Sequence, residues 1–376
     1  MKRLEEIPKS DFFKSFSLAA GMVLCNTLNK IEKTRETRNV ALSIQKSTLR
    51  ILFSVSNRID RDDLMEQAFG YINTNELKKA AKIGNQLLKM KYTGGFEIMG
   101  LVYMEKGEIN KAIKTLEEGV KKAPDIWLLW QLLGNAYSDN KKYKKALQSY
   151  SSALKCADKD VSSIYYNIAI ALSREEKYEE ALKACENVIR EELLLMRICL
   201  KIFLLNKLNR FEESIDLGKR QIDTLESSEQ DNTYISKIYS EMAIAYWAHD
   251  RDEINALKHI FKAIEHDKTN SDAMNILREV ENNSSKTSKY SRIIIEGKAN
   301  GLMIEDADAL GFFATYGVVA ENEEEALKYV RRFEPKEVRD TLRIEKCEVL
   351  KGRVIDPKGV YYCNDGYILF PLEGLV

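Results

Sequence analysis

The chain has 376 residues, of which 44% are hydrophobic and 31% are charged. The apolar fraction supplies a hydrophobic core and excludes a wholly disordered chain, and only 5 prolines favour a mainly helical protein. The 58 basic and 58 acidic side chains cancel, so no nucleic-acid partner is predicted. No apolar run has the length that crossing a bilayer requires, and no membrane span is predicted.

Residues 1–61 contain two stretches in which apolar residues recur at helical spacing. The residues that form these stripes are Phe12, Phe16, Ala19, Val23, Leu28, Val40, Ile44, Leu52 and Val55. We expect two amphipathic helices that form an N-terminal cap or a degenerate repeat. A helix that binds a partner or a membrane surface is the alternative.

A repeat follows in the middle of the chain. The segments "FEIMGLVYMEKGEINKAIKTL" and "WQLLGNAYSDNKKYKKALQSY" align with Gly100 and Gly134 34 residues apart, and Ala112 and Ala146 keep the same offset. A third copy places Ala169 35 residues after Gly134. Weaker copies on both sides extend the series to five or six units between residues 62 and 266.

The residue types explain why such units stack. Small residues recur where two helices must approach closely, because a larger side chain there would push the helices apart. Short polar stretches such as "SDNKK" and "SREEK" are typical of turns between antiparallel helices. One such hairpin cannot bury its apolar face alone, so consecutive hairpins are expected to pack on one another.

This pattern resembles the tetratricopeptide-repeat (TPR) family over residues 62–283. The resemblance implies a right-handed α-solenoid in which the exposed side of each first helix lines a groove for a protein or peptide segment. Counted from the small residue of each unit, the groove candidates are Gln131, Asn135, Tyr166, Asn167, Ile170, Phe203, Asn206 and Trp247. Side-chain amides suit a peptide backbone because they both donate and accept hydrogen bonds, and Phe203 and Trp247 offer apolar anchors.

The pattern changes after the polar run at residues 284–289, which is predicted to be a linker. Residues 290–376 are predicted to form a small α+β domain with the element order β-β-α-β-β-β, in which one helix packs on an antiparallel sheet. The helix is "ENEEEALKYVRRF", with acids in its first turn and arginines in its last. Asp365-Gly366 predicts a two-residue turn in a final β-hairpin.

No motif for catalysis, a cofactor or a metal is found, so a non-catalytic protein is predicted. His259 and His266 are seven residues apart on a helix and, without a third ligand, indicate solvated side chains and not a metal site. Gly94-Gly95 lacks the lysine of a phosphate loop and indicates a turn between repeats. The six cysteines form no CxxC pair, which favours a reducing, cytoplasmic location.

The sequence therefore favours a scaffold or adaptor that binds a protein or peptide partner. One alternative makes the C-terminal domain an enzyme or a ligand sensor that the repeats target. A second alternative is a homo-oligomer formed through the repeat ends or unpaired sheet edges.

Overall fold

The computed structural model describes residues 61–157, 161–225, 232–299 and 310–372. The predicted N-terminal cap, residues 1–61, therefore lies outside the described residues except for its last position. The chain divides into two compact units, with the first ending at Ala171 and the second starting at Leu172. Each unit is described by itself, and the domain bounds predicted from the sequence stay predictions.

The described residues begin within a helix, α1, at residues 61–73. The helices that follow are α2 (Leu77–Lys89), α3 (Gly94–Glu105), α4 (Ile109–Lys122), α5 (Trp127–Asp139), α6 (Tyr143–Cys156), α7 (Ser162–Arg174), α8 (Tyr178–Cys185), α9 (Leu194–Lys207), α10 (Phe211–Leu225), α11 (Asn232–Asp250), α12 (Glu253–His266), α13 (Ser271–Glu281) and α14 (Glu323–Arg331). Short 3₁₀ helices cover Glu191–Leu193 and Arg339–Thr341. None of the described helices combines the length and the apolar character that a membrane span needs.

Among the described residues, helices α1 to α12 form six hairpins that share one turn. In each hairpin a residue with left-handed backbone geometry lies two positions before the second helix. These residues are Asn75, Gly107, Lys141, Glu176, Asn209 and Arg251, with φ between 54° and 71°. The turn closes as a Schellman motif in the second hairpin, where the Glu108 amide donates to the Tyr103 carbonyl at 2.8 Å. The predicted helix-turn-helix repeat is thus confirmed.

Small residues in the first unit set the distance between helices. A Cβ atom on Gly100 would lie 2.7 Å from the Leu116 side chain of α4, and one on Gly134 would overlap the Tyr150 ring of α6. The prediction that Gly94-Gly95 forms a turn between repeats is wrong, because both residues belong to α3. Gly95 is needed there because a Cβ atom would lie 2.8 Å from the Gly84 carbonyl oxygen of α2.

In the second unit, helices α9 to α14 and the C-terminal sheet share one hydrophobic core. Its fully buried side chains include Ile202 and Ile238 from the helices and Ile293 and Phe312 from the sheet. Helix α13 packs against β4, and α14 packs against β2. Arg278 of α13 is buried, donates a hydrogen bond to the Val360 carbonyl and stacks on a tyrosine ring of β4.

The strands are β1 (Lys289–Lys298), β2 (Leu310–Ala320), β3 (Arg343–Lys351), β4 (Gly359–Cys363) and β5 (Ile368–Pro371). They form an antiparallel sheet in the order β3-β1-β2-β4, with β5 also paired to β2. The predicted fold class and the order β-β-α-β-β-β are confirmed. The helix α14 begins as predicted, with the Asn322 side chain accepting from the Glu325 amide at 2.9 Å and acids filling the first turn.

The predicted hairpin at Asp365-Gly366 is wrong. β4 pairs with the second half of β2 (Tyr316 opposite Cys363) and β5 pairs with its first half. Asn364 lies between the two segments and pairs with Thr315 of β2. Its backbone amide donates to the Thr315 carbonyl at 3.0 Å, and its side-chain oxygen accepts from the Thr315 backbone amide at 2.7 Å. Asp365-Gly366 is therefore a bulge in an interrupted edge strand, because one long partner strand accommodates both segments.

Candidate functional site

Equivalent positions on consecutive first helices form the candidate binding surface of the first unit. Residues three before and one after the small residue of each repeat project from α3, α5 and α7. We call this set the first-helix face: Glu97, Leu101, Gln131, Asn135, Tyr166 and Ile170. Gln131 accepts a hydrogen bond from Ser163 of α7 at 3.5 Å, so this position of one repeat reaches the first helix of the next.

The structure places the five groove candidates of the first unit on α5 and α7. Gln131 is buried, with 7% of its surface accessible. Asn135 is half-buried, and its side-chain oxygen accepts a hydrogen bond from the Tyr150 hydroxyl at 2.9 Å. Tyr166, Asn167 and Ile170 are half-buried on α7. These five residues thus combine three side-chain amides, a phenol and an apolar side chain.

Glu97 belongs to the same face and was missed in the sequence. It lies three residues before Gly100, as Gln131 does before Gly134, and only 8% of its surface is accessible. Burial raises the pKa of its carboxyl group. The signal that points to it is a lone acid in the apolar first two turns of "GGFEIMGLVYME".

The three candidates of the second unit already contact neighbouring side chains. Phe203 is half-buried, and the Lys207 ammonium lies 5.2 Å from the centre of its ring. Asn206 is buried between α9 and α11, where its amide nitrogen donates to Oε2 of Glu241 at 2.8 Å and to the Glu241 carbonyl at 2.9 Å. The Trp247 indole donates to Glu279 of α13 at 3.0 Å. In this unit the Asn206 amide therefore joins α9 to α11, and the Trp247 indole joins α11 to α13.

Glu241 is the most strongly perturbed acid at these helix contacts. Burial raises the pKa of its carboxyl group to about 7, against the lowering effect of the hydrogen bond from Asn206. The Asn206 carbonyl oxygen is buried without a hydrogen-bond partner. Below about pH 7 the protonated form of Glu241 is thus favoured in this buried contact between α9 and α11.

A second candidate site is an open cleft of about 1150 Å³ in the second unit, between the α12–α13 turn and the segment after α14. At its wall Glu334, with 1% of its surface accessible, accepts hydrogen bonds from the hydroxyls of Tyr316 and Tyr367, each at 2.5 Å. The Lys268 ammonium lies 3.3 Å from the same carboxylate and 3.8 Å from the Tyr367 ring centre. The donors around this carboxylate all come from the protein itself. We therefore interpret the cluster as a structural contact that holds the α12–α13 turn against the sheet.

Histidines and cysteines of the described residues give no metal-binding cluster of three or more ligands. The prediction of solvated histidines is wrong for His259, which is 8% accessible and lies 4.9 Å from the Tyr246 ring centre. Its Nδ1 lies 2.7 Å from the Asn255 carbonyl oxygen, so the neutral ring donates from Nδ1, and burial lowers its pKa. The five described cysteines are free of disulfides.

The repeated hairpins and their common turn define a helical-hairpin repeat protein. The model of the tetratricopeptide repeat matches residues 97–126, 129–160 and 162–192, which contain the hairpins α3–α4, α5–α6 and α7–α8. The tetratricopeptide repeats that the repeat residues predicted are thus confirmed for residues 97–192.

Several solved structures resemble the chain. A tetratricopeptide repeat protein from Parabacteroides merdae has 12% identity over 59% of this chain and 85% of its own, with a TM-score of 0.48. The C-terminal part of a TPR repeat-containing protein from Cytophaga hutchinsonii has 14% identity over 71% and 98%, with a TM-score of 0.44. YrrB, a TPR protein with an unusual peptide-binding site, has 14% identity over 53% and 100%, with a TM-score of 0.41. No curated protein sequence matches the chain.

Proposed function

We propose that the protein is a non-catalytic scaffold whose first-helix face binds an extended peptide segment of a partner protein. Stacked helical repeats present long continuous surfaces, and such surfaces serve binding more readily than catalysis. The tetratricopeptide family supports the coarse role of a protein-interaction module. The peptide mode, the non-catalytic role and a cytoplasmic location belong to the proposal.

One observation carries the peptide mode. Asn135 on α5 and Tyr166 and Ile170 on α7 are half-buried residues of the first-helix face, so each is packed on one side and keeps accessible surface on the other. Amide and phenol groups can bond to a peptide main chain, while Ile170 offers apolar contact to a side chain. A half-buried polar and apolar mixture is typical of sites that bind by a few positioned contacts.

The test is a selection of phage-displayed random nonapeptides on the full chain, followed by titration of the enriched synthetic peptides. The variant Tyr166→Ala with Ile170→Ala should weaken binding of these peptides by about 10-fold or more, because each truncation of a central contact costs on the order of 1 kcal/mol or more. Lys144→Ala on the exposed side of α6 is the matched control and should leave the affinity unchanged. Retention of affinity by the double variant would exclude the first-helix face as the binding surface.

A further inference from the structure

Charge is divided between the two helices of each hairpin in the first unit. Helices α3 and α5 carry three acids and no lysine or arginine, namely Glu97, Glu105 and Asp139. The second helices α2, α4 and α6 carry four, four and three lysines, and their only acids are Glu117 and Glu118. On α7 the one charged side chain is Arg174, in the last position. Helices α3 and α5 therefore carry a net negative charge, while the second helices are basic.

Glu97 is unusual among these acids because it is buried. Within the described residues its carboxylate makes no hydrogen bond and no ion pair. The residue keeps 8% of its surface accessible, and its carboxylate oxygens are not fully buried. Glu117, by comparison, accepts a hydrogen bond from Tyr137 at 2.5 Å, and the exposed Glu118 pairs with Lys122 at 2.7 Å. A buried carboxylate without a partner destabilises a fold, and a cation supplied by a ligand would remove that cost.

The residues around Glu97 suit the stem of a long basic side chain. Leu101 and Met104, one and two turns further along α3, are half-buried and leave apolar surface beside it. Lysine and arginine side chains lay their methylene stems along such surface while their charged ends reach an acid. Gln131, at the equivalent position of the next repeat, adds a carbonyl oxygen that accepts hydrogen bonds.

We propose that Glu97 binds the cationic end of a lysine or arginine side chain in the peptide that occupies the first-helix face. This inference rests on the proposed function and adds the chemical class of the partner, which is a basic peptide segment. The net negative charge of α3 and α5 attracts such a segment, and Glu97 fixes its register because it is the one acid of the first-helix face.

The experiment uses the full chain and the phage-displayed nonapeptide library in three parallel selections. The targets are the unaltered protein, Glu97→Gln, and Glu105→Gln as a control on the same helix. Glutamine keeps the size of the side chain and removes its charge, so Glu97→Gln should fold at least as stably as the unaltered protein, and thermal unfolding checks this. We expect peptides from the unaltered protein and from Glu105→Gln to share a lysine or arginine at one fixed position, and those from Glu97→Gln to lack it.

Titration of the best synthetic nonapeptide then gives the magnitude. Replacing its conserved basic residue by norleucine should weaken binding to the unaltered protein by about 10-fold or more, the effect of losing a charge-assisted hydrogen bond, and leave binding to Glu97→Gln unchanged. Equal weakening in both proteins, or enrichment of peptides without a fixed basic residue, overturns the role of Glu97. In that case the proposed function survives if the Tyr166 and Ile170 variant still loses affinity.

Two further outcomes are informative. If no peptide is enriched on the unaltered protein, both the proposed function and the role of Glu97 are overturned. If the unaltered protein self-associates in light scattering and Glu97→Gln does not, the lysine-rich second helices of another copy occupy the face, and this overturns a peptide partner.

Discussion

Glu241 shows at the scale of one residue how this fold holds polar groups at helix contacts. Its carboxyl group is 4% accessible, and the nearest donor is the Asn206 amide; the charges of Asp272, Lys237 and Lys207 act from further away. Burial raises its pKa from 4.5 to about 7. The folded protein therefore retains a proton between these pH values that the unfolded chain releases.

Stability should consequently fall as the pH rises from about 4.5 to about 7, since the proton-bound folded form is favoured at the acid end. The Glu241→Gln variant should lack this part of the pH dependence and exceed the unaltered protein at pH 8 by about 3 kcal/mol at most. Urea unfolding at pH 5 and pH 8 measures both proteins. Parallel pH profiles for the two would mean that Glu241 titrates normally in the fold.

Helix packing in the first unit depends at the scale of the element on glycine at close approaches. Gly95→Ala would place a methyl group 2.8 Å from backbone atoms of α2, and we expect a loss of about 1–3 kcal/mol in the free energy of unfolding. Gly70 on α1 is the control because nothing lies within 4 Å of its Cβ position. Gly70→Ala should stabilise the protein by about 1 kcal/mol through helix propensity. Thermal unfolding should give shifts of opposite sign, and shifts of the same sign would contradict the packing argument.

The structural contact between the α12–α13 turn and the sheet depends on the ion pair of Glu334 and Lys268. Glu334→Gln should cost about 3 kcal/mol in the free energy of unfolding because it leaves the Lys268 ammonium partly buried without its carboxylate. The double variant Glu334→Gln with Lys268→Met removes both charges and should recover much of that loss. Urea unfolding of the variants and of the unaltered protein measures these changes. If the double variant is as unstable as the sum of its single variants, the two side chains do not act as a pair.

Local residue patterns predicted which segments form helices and strands, but they did not predict which strands pair with each other. The spacing of Gly100, Gly134 and Ala169 predicted the hairpins because close helix contacts admit only small residues. The β-branched runs predicted β1 to β3 for a similarly local reason. The hairpin predicted at Asp365-Gly366 was wrong because a turn signal does not specify which strand the following segment pairs with. Strand β2 is long enough to pair with both β4 and β5.

The helices that carry the candidate residues were predictable from the sequence, whereas the contacts of these residues were not. Gln131, Asn135, Tyr166 and Ile170 lie on first helices at equivalent positions, as the repeat spacing implied. The sequence could not reveal that Asn206 is occupied by Glu241, because the contact joins residues 35 positions apart. Nor could it reveal that Glu97 is buried, since burial depends on how closely neighbouring repeats approach.

In the whole molecule, we expect peptides to bind the first-helix face and not the basic second helices or the C-terminal sheet. The most direct measurement is photo-crosslinking of the full chain to a selected nonapeptide carrying benzoylphenylalanine, with the attachment sites mapped by mass spectrometry. We expect attachment within α3, α5 and α7, close to Leu101, Asn135 and Ile170. Attachment within α2, α4 and α6, or within residues 310–372, would contradict it.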